Sequence, residues 1–440
     1  MSSRMTLFGE VPQDWTISEV GEIADLRQGL QISKKLRVDN TVQDSIPLLK
    51  ITDLPTGVFS EYVKDIPENY IASKEDIIYT RTGQVGLVYT NVEGCVHNNC
   101  FKVIVDYNKF DKNYIYYYLK SDNVYKYSNS VAGGSVQKDL THGAFKKCKI
   151  AFPSLREQRK IGNILIELDK KIETNNEINK KLEEMAQAIF KQWFVDFEFP
   201  NEAGEPYKSS GGEMVESELG MIPKGWNIGC FREFTDTVLG GDWGKETEQG
   251  NYKKEVLCLR GADIPEIKSG KVGVPAKRFI LEKNYSNKKL NDGDLVVEIS
   301  GGSPTQSTGR ITYINEGILN RYDLDFVCTN FCRAITLNNK KALEYFYFYW
   351  IYLYNSNVFF QYENGTTGIK NFDVNTFLDK HQIVKPSTSL LEKYHEIVSN
   401  LLNIIQRNGL ENTKLSNTRD LLLPKLMSGE IRVDGVNIGI

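Results

Sequence analysis

The sequence lacks the features that would place it in a membrane or outside the cell. No stretch approaches the ~18 consecutive apolar residues of a membrane span, and residues 1–10 contain no apolar run typical of a signal peptide. The nearest apolar run, Tyr345 to Tyr354, is short and aromatic, which favours a buried helix. These absences predict a cytoplasmic protein with no membrane partner.

Side chains that commonly bind metals are few or scattered. The chain has four histidines, and its seven cysteines form no CxxC pair. Cys328 and Cys332 have no second pair at the spacing of a zinc site. We therefore expect reduced, mostly buried thiols and no metal site.

Strong catalytic motifs are also missing. The segment GGDWGKET (240–247) is one residue short of a P-loop, and Glu246 stands where Ser or Thr would coordinate magnesium. The GxGxxG, HExxH and GxSxG motifs are absent, as is the Asn-Pro-Pro-aromatic motif of amino-methyltransferases. A nuclease site of the Asp…Glu-x-Lys type stays open because that pattern is too weak to recognise. The sequence favours a binding subunit over an enzyme.

Positive charge is concentrated in two stretches, although the whole chain carries a net charge of −3. Residues 112–149 contain seven lysines and two aspartates, and residues 253–289 contain ten basic and four acidic residues. Neutralising DNA phosphates requires such local patches. A solvated surface is the alternative explanation for each stretch.

The strongest organisational feature is an internal repeat. Residues 11–25 and 222–236 match at an offset of 211, with Trp15 aligned to Trp226. Similar segments follow in the same order: IPLLKITDL (46–54) with VLCLRGADI (256–264), EDIIYTRTG (75–83) with GDLVVEISG (293–301), GGSVQKDL (133–140) with GTTGIKNF (365–372), and FPSLREQRKI (152–161) with KPSTSLLEKYHEI (385–397). A repeat of this length indicates duplicated domains.

Each half ends in a long helical pattern. In the first half, steps of three and four residues join Ile161, Leu165, Leu168, Ile172, Asn175, Asn179, Leu182, Ala186, Ile189 and Trp193. This heptad pattern predicts a helix of ~50 Å, longer than a domain of this size is wide, so two such helices are expected to pair antiparallel as a rod between two domains. A helix packed on its own domain is the alternative. The second pattern joins Ile397, Leu401, Ile404 or Ile405, Leu415, Leu422 and Leu426, with a kink expected at Asn408-Gly409.

Glycine-rich loops occur at corresponding places in both halves. They are RTGQVG (81–86) and AGGSVQKD (132–139), then SGGSPTQSTGR (300–310) and NGTTGIKN (364–371). Glycine permits close approach to another surface, and the polar residues around it supply donors for phosphates and base edges. Ordinary β-turns are the alternative for any single loop.

The sequence resembles the specificity subunits of type I restriction–modification systems over nearly its full length. The resemblance rests on PQDW (12–15) and PKGW (223–226), PSLREQRKI (153–161), AIFKQWFVDFEFP (188–200) and LLLPKLMSGEIRV (421–433). The second copy departs from the pattern at Leu391-Glu392-Lys393, opposite Glu157-Gln158.

The resemblance implies an α+β protein with two similar mixed α/β target-recognition domains separated by an antiparallel two-helix coiled-coil spacer. The expected boundaries are 1–152 for the first recognition domain, 153–197 for the central helix, 198–221 for an exposed linker, 222–386 for the second recognition domain, and 387–440 for the C-terminal helix and tail. Double-stranded DNA, two methyltransferase subunits and restriction subunits are the implied partners. No cofactor is expected in this chain; S-adenosylmethionine, ATP and magnesium belong to the partners.

The implied function is to read a bipartite, asymmetric DNA target and to direct adenine methylation or restriction by the partner subunits, without catalysis by this chain. A methyltransferase or nuclease with unrecognised motifs, or a coiled-coil scaffold that does not bind DNA, are the alternatives. The residues expected to contact DNA are Lys34, Lys35, Arg37, Arg81, Gln84, Ser135, Gln137, Lys138, Arg260, Ser303, Gln306, Arg310, Thr366, Lys370 and Asn371. Those expected at the spacer or partner interface are Leu165, Leu168, Ile172, Leu182, Ile189, Trp193, Leu401, Leu415 and Leu422.

Overall fold

In a computed structural model of the chain, residues 5–40, 42–134, 137–301, 303, 305–365 and 370–433 are described. They divide into two units. Unit 1 contains the described residues of Met1–Lys170 and Leu415–Ile440, and unit 2 contains those of Lys171–Lys414. The final helix therefore returns to the unit in which the chain begins.

Unit 1 combines short strands with helices. Its strands are β1 (Met5–Thr6), β2 (Gly9–Glu10), β3 (Thr16–Glu19), β4 (Ala24–Gln28), β5 (Ile46–Leu49), β6 (Tyr62–Val63), β7 (Ile71–Ala72), β8 (Ile77–Thr80), β9 (Val88–Tyr89), β10 (Gly94–Val96), β11 (Cys100–Val105) and β12 (Lys149–Phe152). Its helices are α1 (Val20–Ile23), α2 (Lys112–Lys120), α3 (Asp122–Val131), α4 (His142–Lys146) and the start of α5 (Leu155–Phe190), with 3-10 turns at Lys34–Leu36 and Glu68–Tyr70.

Unit 2 is built from a similar set of elements. Its strands are β13 (Met214–Ser217), β14 (Gly220–Pro223), β15 (Asn227–Cys230), β16 (Thr235–Gly240), β17 (Tyr252–Leu259), β18 (Ala276–Leu281), β19 (Asp294–Glu298), β20 (Ser300–Gly301), β21 (Ile311–Tyr313), β22 (Phe326–Cys328), β23 (Cys332–Leu337), β24 (Glu363–Asn364), β25 (Lys370–Phe372) and β26 (Gln382–Lys385). Its helices are α6 (Ile264–Lys268), α7 (Glu282–Lys288), α8 (Glu316–Leu319), α9 (Leu343–Asn355), α10 (Val374–Lys380) and the start of α11 (Thr388–Ser428), and a π-helical turn at Lys191–Val195 follows α5.

The sequence repeat is a repeat of topology. Unit 1 has a sheet in the order β4-β11-β8-β9, and unit 2 has one in the order β16-β23-β19-β21. In each unit a second sheet contains one parallel pair, β5 with β10 and β17 with β22. In each unit, a strand near the start of the repeat pairs antiparallel with the strand just before the long helix: β3 with β12, and β15 with β26. The mixed helix and strand content confirms the α+β prediction.

The composition of two aromatic segments, NYIYYYLKS (113–121) and LEYFYFYWIYLY (343–354), predicts a helix in each half, and both segments form buried helices. In α2, the Asp111 carboxylate caps the helix by accepting from Tyr114 N at 2.9 Å, and the Tyr114 hydroxyl donates to Ala151 O at 2.6 Å. In α9, Trp350 is fully buried and donates its indole N–H to Gly309 O at 2.7 Å. Each helix therefore anchors its sheet through aromatic groups whose polar atoms are satisfied.

The tryptophan near the start of each repeat packs close to the end of a long helix. Trp226 stacks on Phe199 with ring centroids 5.1 Å apart, just after α5. In unit 1, Trp15 belongs to the same apolar core as Leu426 and Met427 near the end of α11. A buried tryptophan thus fixes one helix end in each unit.

The C-terminal helix departs from its predicted apolar stripe. α11 remains helical through Gly409, and the kink at Asn408-Gly409 stays a prediction. A Cβ atom at Gly409 would lie 1.8 Å from the carbonyl oxygen of Gly270, so this glycine permits close backbone contact. Ile397 is 43% exposed, and the buried stripe runs through Leu391, Tyr394, Val398, Leu402 and Ile405 instead.

The segment 198–221, which was expected to be an exposed linker, is ordered. Its strand β13 pairs antiparallel with β14. Tyr207 stacks on Phe199 with ring centroids 4.6 Å apart. These two aromatic side chains bury apolar surface against each other within an otherwise polar segment. The composition correctly predicts exposure for most of its residues but misses these anchors.

All seven cysteines are free thiols, and six are buried, with Cys230 half-buried. Burial raises the pKa of Cys95 to about 11 and that of Cys148 to about 12, so these thiols stay protonated at neutral pH. Within the described ranges, no helix combines the length and the apolarity of a membrane span.

Candidate nucleic-acid interface

The glycine-rich loops of unit 1 meet at one edge of its sheets, which we call the loop edge of unit 1 (residues 28–30, 81–86, 97–99, 133, 134 and 137–140). Backbone hydrogen bonds join its parts: Leu30 N to Val96 O (2.8 Å), His97 N to Leu49 O (3.3 Å), Arg81 N to Asn99 O (2.8 Å) and Cys100 N to His97 O (2.9 Å). These bonds bring together segments that are far apart in the sequence.

Unit 2 repeats this arrangement at its own loop edge (residues 240–243, 299–301, 303, 305–310, 329–331, 363–365, 370 and 371). The corresponding bonds are Asp242 N to Cys328 O (2.8 Å), Thr329 N to Leu259 O (3.0 Å), Ile299 N to Phe331 O (2.9 Å) and Cys332 N to Thr329 O (2.9 Å). The same backbone frame therefore carries different side chains in the two units.

Both predicted loops of unit 1 are in contact at this edge. Gly83 N donates to Lys138 O at 2.9 Å, and the Thr82 hydroxyl donates to the Asp139 carboxylate at 2.6 Å. The side chains of Gln84, Gln137 and Lys138 are exposed. Ser135 lies outside the described residues.

The two loops of unit 2 are also in contact. Strand β20 in the first loop pairs with β25 in the second. Glu363 accepts from Thr308 N at 2.6 Å and pairs with Lys370 at 2.8 Å. Burial opposes ionisation of Glu363, but the hydrogen bonds from Lys370 and Thr308 outweigh it and lower its pKa. Of the remaining predicted residues, Gln306 and Asn371 are exposed, Ser303 is half-buried, and Thr366 lies outside the described residues.

The predicted arginines at these edges are held by carboxylates. Arg81 pairs with Asp139 at 2.6 Å, and Arg310 pairs with Glu298 at 2.5 Å. The hydrogen bonds to Glu298 raise the pKa of Arg310. A bidentate contact to guanine would require either arginine to exchange its partner, so their base contacts stay a prediction.

Arg260 and Arg37 each combine an ion pair with a hydrogen bond to a backbone carbonyl oxygen. Arg260 pairs with Asp263 at 2.8 Å and donates to Val274 O at 2.7 Å. Arg37 pairs with Glu61 at 2.5 Å and donates to Ile32 O at 3.0 Å. These contacts suit residues that fix loop shape.

Sequence reasoning missed Lys50, the counterpart of Arg260 in the repeat. It pairs with Asp53 at 3.5 Å and with Glu61 at 2.9 Å. The aligned segments IPLLKITDL and VLCLRGADI contained this signal. Lys34 and Lys35, by contrast, are exposed on a 3-10 turn between β4 and β5.

The predicted interface residues of the helices face inward to different degrees. Leu165 and Trp193 are buried, while Leu168, Ile172, Leu182, Ile189, Leu401, Leu415 and Leu422 are half-buried. Within unit 2, Asn175 donates to Asn412 at 2.8 Å, and Asn408 donates to Asn179 at 2.9 Å. A later residue on α5 therefore pairs with an earlier residue on α11, which shows that these two helix segments are antiparallel.

The helix segments in unit 1 are joined by a different contact set. Leu165 shares a core with Leu426, and Leu422 packs against that core. Arg419 forms an ion pair with Asp169. The Tyr117 hydroxyl also donates to Asp169 at 2.6 Å, which ties helix α2 to helix α5.

Chemically, the loop edges offer amide, hydroxyl and cationic donors on short, braced loops. No cluster of metal-binding side chains occurs among the described residues. Such surfaces can form hydrogen bonds with base edges and phosphates.

Comparisons with known proteins agree with this arrangement. The family described as "Type I restriction modification DNA specificity domain" matches residues 12–184. The chain is 25% identical to the type I restriction enzyme MjaIX specificity subunit of Methanocaldococcus jannaschii, covering 98% of this chain and 96% of that protein. Residues 12–184 therefore match this family of DNA specificity domains, and the whole chain is similar to type I specificity subunits. The specificity subunit is the non-catalytic component that carries DNA sequence specificity in these systems.

Two further likenesses extend over most of the chain. It is 22% identical to the HindI specificity subunit of Haemophilus influenzae, covering 84% of this chain and 90% of that protein. The crystal structure of a type I S subunit from M. genitalium superposes with a TM-score of 0.58 at 17% identity, covering 96% of this chain and 99% of that one. The second likeness supports the fold.

Proposed function

We propose that the loop edges of units 1 and 2 each read one half of a bipartite, asymmetric DNA target. The observation that carries this proposal is the repeated backbone frame, which presents different side chains in the two units. Two similar modules on one chain suit two DNA half-sites at a fixed separation. Different side chains on the same frame suit half-sites of different sequence.

The residues proposed to contact bases or phosphates are the exposed polar groups of the loop edges. Gln84 and Gln137 in unit 1, and Gln306 and Asn371 in unit 2, have amides that match adenine edges. Arg81 and Arg310 would read guanine after exchanging their carboxylate partners. Arg81→Ala and Arg310→Ala should each weaken specific binding, and unchanged binding by both variants would contradict the assignment.

The helices α5 and α11 are proposed to form an antiparallel coiled-coil spacer that sets the gap between half-sites. Inserting four residues near Asn175 and Asn179 should lengthen the spacer by ~5–6 Å, which corresponds to one or two base pairs. Both half-site sequences should stay unchanged. An insertion variant that folds and keeps the original gap would show that the helices do not measure it.

Two methyltransferase subunits and the restriction subunits are the proposed partners. S-adenosylmethionine, ATP and magnesium would be bound by those partners, which perform methylation and restriction. Two similar units in one chain would present two similar surfaces, one to each methyltransferase copy.

Mapping modified adenines in DNA from cells that carry the specificity subunit with its partners tests the function directly. The expected result is methylation within a split sequence whose halves differ. A palindrome with equal halves would contradict asymmetric reading, and methylation independent of this chain would contradict its role as the reader.

A further inference from the structure

An aromatic side chain is exposed at the loop edge of unit 2. Phe331 lies on the short loop between β22 and β23, and 55% of its surface is accessible. A single exposed apolar side chain is common on protein surfaces and needs no function. Phe331 is unusual because of the backbone that holds it and because of its place beside the proposed DNA-reading loops.

The loop that carries Phe331 is braced. Phe331 N donates to Thr329 Oγ1 (3.2 Å), Cys332 N to Thr329 O (2.9 Å), Ile299 N to Phe331 O (2.9 Å) and Arg333 Nη1 to Asn330 O (3.1 Å). These bonds fix the backbone from which the ring projects before any partner arrives. A preorganised apolar group loses less conformational entropy on binding than one on a mobile loop.

The bond from Ile299 also fixes where Phe331 lies. Ile299 immediately precedes the loop 300–310, which contains Gln306 and Arg310. The backbone of Phe331 therefore lies at the base of that loop. A role for Phe331 in DNA reading requires a duplex bound at this loop to reach the exposed ring as well.

Unit 1 carries a different residue at the equivalent position. Asn99 N donates to His97 Nδ1 (3.4 Å), Cys100 N to His97 O (2.9 Å) and Arg81 N to Asn99 O (2.8 Å). These bonds correspond one by one to those around Phe331, so the two residues occupy the same place in the repeated frame. Burial, followed by the charges of Arg37 and Lys50, lowers the pKa of His97. Its imidazole is therefore uncharged at neutral pH and accepts the Asn99 N–H.

The Asn99 side chain is half-buried, and no other described residue forms a hydrogen bond with its amide. An amide in this state offers a donor and an acceptor together, the pair that matches the major-groove edge of adenine. Phe331 offers only apolar surface, which matches the C5-methyl group of thymine.

We propose that position 331 and its counterpart 99 are specificity-determining positions, at which Phe331 contacts a thymine methyl group in the second half-site and Asn99 reads an adenine in the first. This inference rests on the proposed function and adds one base contact to each half-site. It also gives a physical reason for asymmetry: one frame presents an apolar group in one unit and an amide in the other.

The test uses the full specificity subunit assembled with its methyltransferase subunits and a library of target variants. Phe331→Ala should relax the preference for one A·T pair in the second half-site by roughly fourfold or more, the factor expected for one buried methyl group. Phe331→Leu should keep most of the preference because it stays apolar. The first half-site should be unchanged, which reports that the complex is folded.

Asn99→Ala is the matched variant in unit 1. It should relax one position of the first half-site by roughly five- to a hundredfold, as expected for a bidentate contact, and leave the second half-site unchanged. Replacing the identified thymine by deoxyuridine then removes only the methyl group. The wild-type complex should lose the same factor as Phe331→Ala, and the Phe331→Ala complex should lose nothing more.

Several results would overturn the inference. They are a second half-site without an A·T pair, an unchanged second half-site in Phe331→Ala, or a deoxyuridine effect that persists undiminished in that variant. Relaxed specificity without a deoxyuridine effect would indicate that the ring stacks on bases, which contradicts the methyl contact. If the wild-type complex methylates without a split target, the proposed function itself fails, and this outcome is distinct from the others.

Discussion

The two loop edges share a backbone frame but hold their arginines in different electrostatic surroundings. Asp139, the partner of Arg81 in unit 1, has a side chain that is 41% exposed. Glu298, the partner of Arg310 in unit 2, has a side chain that is only 5% exposed. Water can replace Arg81 at Asp139 but has little access to Glu298. The repeat thus preserves geometry while the energy of releasing each arginine differs.

The units also attach their mixed α/β domains to the helices in different ways. In unit 1 the Tyr117 hydroxyl contacts Leu165 O and the Asp169 carboxylate of α5. In unit 2, Gln406 is buried on α11 and donates to the Tyr313 hydroxyl at 2.8 Å, while the backbone of Gly270 lies against Gly409. The attachment in unit 2 therefore includes a close contact between two backbone segments, which an added Cβ atom would disrupt.

The largest predicted effect tests that close backbone contact. Gly409→Val should lower the free energy of unfolding by about 3 kcal/mol or more, because a Cβ atom there would lie 1.8 Å from the backbone carbonyl oxygen of Gly270. Asn417→Val is the matched control, since Asn417 is exposed on the same helix. Urea denaturation monitored by tryptophan fluorescence gives the comparison. Equal stability of the two variants would mean that the close contact between Gly270 and Gly409 is absent.

The second prediction compares the two arginines. Arg310→Ala should cost about 3 kcal/mol of stability because it leaves a buried carboxylate unpaired, whereas Arg81→Ala should cost about 1 kcal/mol or less because Asp139 is accessible to water. The double variant Arg310→Ala/Glu298→Gln should recover much of the loss, since the amide carries no charge. Equal losses for the two single variants, or no recovery in the double variant, would refute the difference between the edges.

Sequence reasoning predicted the features that depend on local pattern. The repeat, the two aromatic helices and the buried positions of Asn175 and Asn179 all follow from spacing and composition. Periodicity is sufficient for these features because each element buries one face.

The features that sequence reasoning missed depend on contacts between distant segments. From the sequence, the Asn408-Gly409 pair predicts a kink in the helix. The structure shows a second reason for a glycine at position 409, because the backbone of Gly270 lies too close for a side chain. The carboxylate partners of the predicted arginines were also not foreseen, because loop geometry decides which acid lies within reach. The equivalence of Asn99 and Phe331 rests on backbone hydrogen bonds, and the residues themselves share no chemistry.

The smallest predicted effect concerns phosphate contacts in unit 1. Lys34 and Lys35 are exposed on the turn that follows β4, which ends at the loop edge. If each lysine neutralises one phosphate, replacing both by alanine should reduce the slope of log K against log salt concentration by roughly two. Binding to specific and to random DNA should weaken by the same factor, because phosphates carry no sequence information.

Lys109→Ala supplies the control for this measurement. Lys109 is exposed on the turn after β11, at the opposite end of the strand from the loop edge. Six residues of strand span roughly 20 Å, so this lysine lies well away from a duplex at the loop edge. Its removal should leave the salt dependence unchanged. If it alters the slope as much as the pair Lys34 and Lys35 does, the DNA does not lie preferentially at the loop edge. If the double variant instead changes only specific binding, these lysines read bases, and the division between phosphate-binding turns and base-reading loops in unit 1 would be wrong.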